Sequence, residues 1–188
     1  TVGAAIFLVY AVRMAGRGVA RIVLPLTTLG YAAPGAVLAV GILIPMAALD
    51  HRLADAVLAL TGWDPGLMIT GTAAALVLAY SVRFFGVAQG AVDAAFGRIS
   101  PSLPMAARSL GRTAGGALGA VHLPLMRASV ASALLVVFVD CVKELPATLL
   151  LRPFNYNTLS TRVFELASLE RLPEASPAAL LVMAVGLM

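Results

Sequence analysis

Three charged residues lie at the end of an apolar run in the second half of the chain. Asp140, Lys143 and Glu144 follow the uncharged stretch Ala131–Val139, and on a helix their spacing places them close together. Charged side chains are costly to bury in a bilayer, so residues of this kind are often functional. They could line a translocation path and contact a passing cation. Alternatively, Asp140 and Lys143 pair within the helix, and Glu144 with Pro146 ends it at the membrane interface.

Other reactive side chains are sparse and form no catalytic pattern. Cys141 is the single cysteine and cannot form a disulfide within the chain, and one histidine such as His122 does not by itself make a metal ligand set. The sequence has no His-Glu-x-x-His zinc helix and no Gly-Lys-Ser/Thr phosphate loop. We therefore predict no enzyme, no metal site and no ATP site in this chain. Arg83 ends another apolar run, and we expect it to reach the cytoplasmic headgroups, with a gating role as the alternative.

Composition predicts that the helices carrying these residues lie in a membrane. Of the 188 residues, 61% are apolar and 12% are charged, and the mean hydropathy is +0.97, whereas soluble domains are about one quarter charged. The net charge of +4 does not indicate a nucleic-acid surface, because the basic residues flank apolar runs instead of forming one stripe. We predict an all-α fold, a polytopic transmembrane helical bundle, in one domain covering 1–188.

Five apolar runs predict spans or parts of spans. They cover residues 1–12, 29–49, 66–88, 125–146 and 177–188. The first and last are partial, so we expect a chain truncated at both ends. Segments 13–28 and 83–127 are basic and segments 50–65 and 140–176 are acidic. The positive-inside rule then predicts that the two basic segments face the cytoplasm.

The last acidic segment combines turn residues with one helical pattern. Asn155, Tyr156 and Asn157 offer oxygen and amide groups at which an incoming protein could dock, although such residues commonly form turns. Apolar residues then recur at helical spacing at Leu159, Val163, Leu166 and Ala167. This pattern predicts a short interfacial helix.

The long connection 93–124 carries the most specific motif. Pro104 suits the first turn of a short helix, and Gly111 suits a left-handed helix end. The segment resembles the cytoplasmic coupling loop of ATP-binding-cassette (ABC) importer permeases, Glu-Ala-Ala-x-x-x-Gly-x9-Ile-x-Leu-Pro, with Met105 in place of the glutamate. The matching residues are Ala106, Ala107, Gly111, Val121, Leu123 and Pro124. Alternatively, the glycines from 111 to 119 form a flexible linker or a small-residue helix contact.

Residues 143–168 and 29–41 resemble the corresponding parts of iron(III) permeases. The resemblance implies a MetI-like permease fold, here the second half of a fused permease, located as a multi-pass protein in the bacterial inner membrane. It also implies docking of the coupling loop on a cytoplasmic ABC ATPase that binds the ATP, so that no cofactor is expected in this chain. The remaining implied partners are a periplasmic binding protein that delivers iron(III), the other permease half or subunit, and the lipid bilayer.

Other transport functions stay open at this point. Permeases for thiamine, phosphonate, sulfate and polyamines share much of the same pattern. A transporter driven by an ion gradient is a further alternative. That class favours ionisable relays deep within the spans, and in this sequence Asp140 comes nearest to such a position.

Overall fold

The computed structural model describes residues 1–187, apart from the side chains at positions 17, 20 and 21. Within this range the regular structure is helical and includes no strand, which confirms the predicted all-α class. The helices, in chain order, are α1 (Val2–Ala15), α2 (Arg17–Ala32), α3 (Gly35–Thr61), α4 (Ala73–Arg83), α5 (Phe85–Gly97), α6 (Ser102–Ser109), α7 (Ala114–Ala117), a π-helical turn (Leu118–His122), α8 (Leu123–Lys143), α9 (Pro146–Leu151), α10 (Leu159–Ser168) and α11 (Leu172–Gly186).

Two helical stretches in the described residues are long and apolar enough to cross a bilayer. α3 has 27 residues, and α7, the π turn and α8 together form the 30-residue stretch Ala114–Lys143. α4 and α5 reach this length when they are taken as one span interrupted at Phe84. A span needs about 20 apolar residues, so by length and composition residues 1–187 contain two candidate spans, or three with the α4–α5 pair. Helices of this length and composition are typical of integral membrane proteins.

The second predicted span, 29–49, falls across a break between two helices. α2 ends at Ala32 and α3 begins at Gly35, because a proline at position 34 disfavours a helical conformation in the residue before it. α3 then continues to Thr61, well beyond the predicted end. The apolar run correctly predicted a long apolar helix, but that helix begins after the proline, at Gly35, instead of at residue 29.

Asp50 lies within α3, although the charge count placed it in a connection between spans. The side chain is fully buried, and its carboxylate accepts the backbone N–H groups of Met68, Ile69 and Thr70 at 2.7–2.9 Å. Hydrogen bonds to the charged form offset much of the cost of removing a carboxylate from water. Asp50 therefore stabilises the loop that precedes α4.

The connection 93–124 is more helical than the sequence suggested. α5 continues to Gly97, α6 follows, and the next helix begins at Ala114 instead of near Pro124. The Thr113 side chain accepts the N–H of Gly116 and caps this helix. The glycine-rich stretch is thus helical, which contradicts the flexible-linker alternative. Pro124 lies two residues after the end of the π turn, where the regular i→i−4 hydrogen bonding is already interrupted.

The chain divides into two compact units. Unit 1 comprises residues 1–32 and 84–138, and unit 2 comprises residues 33–83 and those from 139 onward. In unit 1, α1 and α2 pack against each other and against α5. α2 and α5 approach so closely at Gly86 that an added Cβ would lie 2.9 Å from the Cα of Thr28.

Unit 2 is built around α9, which packs against α3 and α4, while α10 packs against α11. Five apolar residues of α3, α4 and α9 form a core, and all are at least 95% buried. They are Ala39, Leu76, Ala79, Ala147 and Leu151. The predicted short helix near residues 159–167 is present as α10, and the Thr158 side chain caps it by accepting the N–H of Thr161.

Candidate functional site

The short helix α6 carries the first half of the predicted coupling motif. It begins after Pro101, and Pro104 lies in its first turn, where a missing N–H leaves no helical hydrogen bond unmade. It ends in a Schellman motif, in which Gly111 donates to the carbonyl of Arg108 and Arg112 donates to that of Ala107. Gly111 has φ +86°, a conformation that favours glycine. The predicted helix and its glycine stop are confirmed.

No residue of α6 is buried by the described parts of the chain. Leu103 and Met105 are 47% and 66% exposed, and Leu110, at its C-terminal end, is 86% exposed. Ala106 and Gly111 are also exposed. Burial of an apolar face normally supplies most of a helix's stability. Within the described chain, α6 has no such buried face.

A cleft of about 290 Å³ lies beside α6 and shows how unit 1 supports the helix. Tyr10, Phe96 and His122 form an aromatic cluster with ring centroids 5.0–6.0 Å apart. Tyr10 donates its hydroxyl proton to the carbonyl oxygen of Ala114 at 2.6 Å, so the cluster connects α1 to the start of the long helix. Pro104, Met105 and Arg108 of α6 line the same cleft.

The second half of the predicted motif lies on a different element. Val121 belongs to the π turn, and Leu123 and Pro124 open α8. Val121 is half-buried and the other two are exposed. α6 packs against the π turn, so the structure brings the two halves of the motif to neighbouring elements of unit 1.

A second feature, in unit 2, is a buried ion pair that the sequence did not reveal. The Nε of Arg83 donates to the Oε2 of Glu144 at 2.9 Å, and the two side chains are only 16% and 8% exposed. Arg83 also donates through Nη1 to the carbonyl oxygen of Ala33 at 2.8 Å. The Oε1 of Glu144 accepts the N–H of Ala147 at 3.2 Å.

This pair corrects the sequence-based placement of Arg83. Charge counting put Arg83 with the cytoplasmic basic segment and Glu144 with the acidic segment on the opposite side, yet the two side chains are in direct contact. Arg83 is therefore not extended toward cytoplasmic headgroups. The predicted basic segment keeps four arginines without it, at positions 98, 108, 112 and 127.

All three backbone positions around the pair are helix interruptions. Ala33 lies between α2 and α3, Arg83 is the last residue of α4, and Glu144 lies between α8 and α9. Helix ends leave carbonyl and N–H groups without partners inside the helix, and the two charged side chains satisfy one group of each kind. Gly35 makes the arrangement possible, since an added Cβ there would lie 2.5 Å from the Oε1 of Glu144.

Hydroxyl groups complete the polar network around Glu144. Thr148 donates to the backbone carbonyl of Glu144 at 2.8 Å, and its hydroxyl also forms a short hydrogen bond with that of Tyr80. Ser160 donates to the carbonyl of Val142 at 2.6 Å. The signal for Glu144 in the sequence was a charge next to an apolar run, but nothing local identified Arg83, Gly35 or Tyr80 as its neighbours.

Asp140 and Lys143, the other two predicted path residues, are not part of this network. Asp140 is half-buried, and Lys143 is exposed and extends over α11, where an added Cβ on Gly186 would meet its Nζ at 2.7 Å. Among the described residues neither forms an ion pair. The alternative of an Asp140–Lys143 pair is thus not observed, and a role in a translocation path stays a prediction.

The segment after α9 is a turn held by its own polar groups. Arg152 forms an ion pair with Glu165 of α10 at 2.5 Å, and the side-chain amide of Asn157 donates to the same carboxylate at 3.0 Å. Asn155 has φ +60°, and Phe154 is 95% exposed. Asn155 and Asn157 therefore serve the turn. Within residues 1–187 no group of three or more His, Cys, Asp or Glu side chains is close enough to hold a metal ion.

Comparison with known proteins finds similarity to a transport permease. No protein-family model matches the chain. It is 33% identical over 107 residues to the Fe(3+)-transport system permease protein FbpB 2 of Haemophilus influenzae. The aligned region covers 57% of this chain and 21% of that protein, so the chain spans about a fifth of the length of the relative that it matches. The chain is thus similar to part of a membrane permease.

Proposed function

We propose that this chain is part of the permease subunit of an ABC importer and helps to form the path for iron(III) across the bacterial inner membrane. A periplasmic binding protein delivers the solute, and a separate cytoplasmic ATPase supplies the energy. Another permease half or subunit completes the path. The similarity to an iron(III) permease supports both the transport class and the solute.

The exposed helix α6 carries the proposal. It combines the motif residues Ala106, Ala107 and Gly111 with an uncovered apolar surface, and it lies between two apolar stretches of span length. A short helix with small side chains allows close approach by another protein. We therefore assign α6 as the coupling helix that docks on the ATPase and transmits its closure to the spans, by rearrangement of rigid elements. The MetI-like fold, a multi-pass topology and the coupling role of segment 93–124 belong to the same proposal.

The test is uptake of radiolabelled iron(III) by cells that express the intact transporter with its ATPase and binding protein. Gly111→Asp places a charged side chain on the docking surface and strains a left-handed position, which costs about 1 kcal/mol. We expect this variant to insert in the membrane and to lose iron uptake. Gly62→Asp is the matched control, because Gly62 also has a positive φ, of +71°, with nothing within 4 Å of an added Cβ.

Three results would change the proposal in different ways. Wild-type uptake by Gly111→Asp would remove the coupling role of α6. Equal loss in both glycine variants would assign the effect to backbone strain. ATP hydrolysis that the binding protein stimulates, without iron transport, would keep the permease and reject iron. Competition with thiamine, phosphonate, sulfate and polyamine would then identify the solute.

A further inference from the structure

The ion pair between Arg83 and Glu144 lies at the start of a helix that is too short to cross a membrane. α9 has six residues, and it follows α8 after a break at Glu144 and Leu145. In membrane transporters such interrupted helices, with their open backbone groups, commonly line the route of the solute. Irregular backbone is tolerated in a bilayer only where protein or a water-filled cavity surrounds it.

Glu144 holds the first turn of α9 through two of its atoms. Its Oε1 accepts the N–H of Ala147, and its carbonyl oxygen accepts the hydroxyl of Thr148. Its Oε2 is occupied by the guanidinium of Arg83. Both carboxylate oxygens are thus engaged with the protein, and the side chain is 8% exposed, which leaves it no free oxygen and little surface for a passing cation.

Arg83 connects this turn to the rest of unit 2. Its Nη1 donates to Ala33, next to the start of α3, and its Nε holds Glu144. Apolar packing fixes α9 separately, because Ala147 and Leu151 pack against α3 and α4. The position of α9 therefore depends on the ion pair at one end and on apolar packing along its length.

We propose that Glu144 is a positioning residue for transport: held by Arg83, it fixes α9 and the wall of the solute path that α9 forms, without contacting the solute. The inference rests on the proposed transport function. It differs from the interpretation that Glu144 is itself a cation-contacting residue, and it leaves Asp140 as a candidate for that role and Lys143 as a residue that could line the path.

The experiment compares Glu144→Gln, Arg83→Met and the double variant in the intact transporter. Each single variant leaves one buried charge without the opposite charge of this pair, which costs more than removing both charges. We expect each single variant to lower the maximal rate of iron(III) uptake by about tenfold or more, and the double variant to recover to within about threefold of wild type. The half-saturating iron concentration stays constant throughout. Glu174→Gln, in the exposed Arg171–Glu174 pair, is the control.

A second readout follows α9 itself and does not require transport. Leu150 is 47% exposed on α9, so a cysteine there, in a background without other cysteines, reports the position of the helix through its rate of maleimide labelling. We expect the rate to change by about threefold or more in both single variants and to return in the double variant. If the wild type transports no iron but the labelling follows this pattern, the assignment of iron as the solute fails, and the positioning of α9 by the ion pair stands.

Two results would overturn the inference. If Glu144→Gln raises the half-saturating iron concentration, while Arg83→Met does not and the double variant behaves as Glu144→Gln, then Glu144 contacts the solute. If labelling at position 150 stays at the wild-type rate in all variants, the pair does not position α9. Should the single variants fail to insert, Arg83→Lys keeps the charge but cannot hold both Ala33 and Glu144 with a planar fork. It is expected to give an intermediate labelling rate, and a wild-type rate would also reject the inference.

Discussion

α6 and α9 are two short helices with opposite environments. α6 has eight residues, none of them buried, whereas α9 has six residues, of which Ala147, Thr148 and Leu151 are buried. α6 is defined by local features, namely its prolines and the glycine that ends it. α9 is defined by side chains that are distant in sequence. The described chain leaves the surface of α6 uncovered, as the proposed docking of another protein requires, while α9 is held in place by its own chain.

The largest effect is expected from adding one methyl group at position 35, beside the ion pair that holds α9. Gly35→Ala would place Cβ 2.5 Å from the Oε1 of Glu144, and the carboxylate would have to shift from its position between Arg83 and Ala147. We expect the free energy of unfolding in detergent to fall by about 1–3 kcal/mol, because the hydrogen bonds of a buried carboxylate are weakened. Gly41→Ala, in the same helix with nothing within 4 Å of its Cβ, is the control and should change little. Equal stability of the two variants would mean that the pair does not depend on this close contact.

A smaller loss is expected when one hydroxyl of the α9 network is removed. Thr148→Val keeps the shape but leaves the hydroxyl of Tyr80 and the carbonyl of Glu144 with fewer partners. A lost hydrogen bond of this kind costs about 0.5–1.5 kcal/mol, measurable as a lower thermal midpoint of the purified protein. Thr28→Val, at an exposed threonine whose hydroxyl binds its own helix, should shift the midpoint much less. A matching shift in both variants would assign the effect to helix propensity.

The smallest effect on stability is expected on α6, together with a clear effect on coupling. Leu110→Ser should change the free energy of unfolding by less than about 0.5 kcal/mol, since an exposed side chain makes few contacts to lose. ATP-dependent uptake should nevertheless fall several-fold. Leu60→Ser is matched for exposure, because both leucines are 86% exposed, and it should transport normally. Destabilisation by Leu110→Ser, with uptake falling only in proportion to the folded protein, would show that α6 matters to the fold and not to a partner.

Much of the α6 region was predictable from sequence because its determinants are local. Pro104 and Gly111 act within one or two turns of the chain, and the structure shows a helix that ends in a left-handed glycine. The sequence did not predict that Gly115, Gly116 and Gly119 are helical. Glycine is a weak helix former, and here the Thr113 cap and packing in unit 1 outweigh its propensity.

Charge counting along the chain succeeded less well. It treats each charged residue as solvated at a membrane surface, but Asp50 and Arg83 are removed from solvent by partners in other segments. Asp50 binds N–H groups 18 to 20 residues away, and Arg83 binds a carboxylate 61 residues away. An apolar run predicts a helix, but it does not predict which side chains from distant segments will contact that helix.

The sequence by itself determined that the chain is helical, apolar enough for a membrane, and equipped with a short exposed helix ended by glycine. Composition and local spacing carry that information, since helix formation depends on neighbours within a few residues. Only the tertiary structure decided that Glu144 pairs with Arg83 beside Gly35. A buried charge is stable only where a partner, a hydrogen-bond donor and the necessary space coincide, and that coincidence arises when segments far apart in the chain pack together.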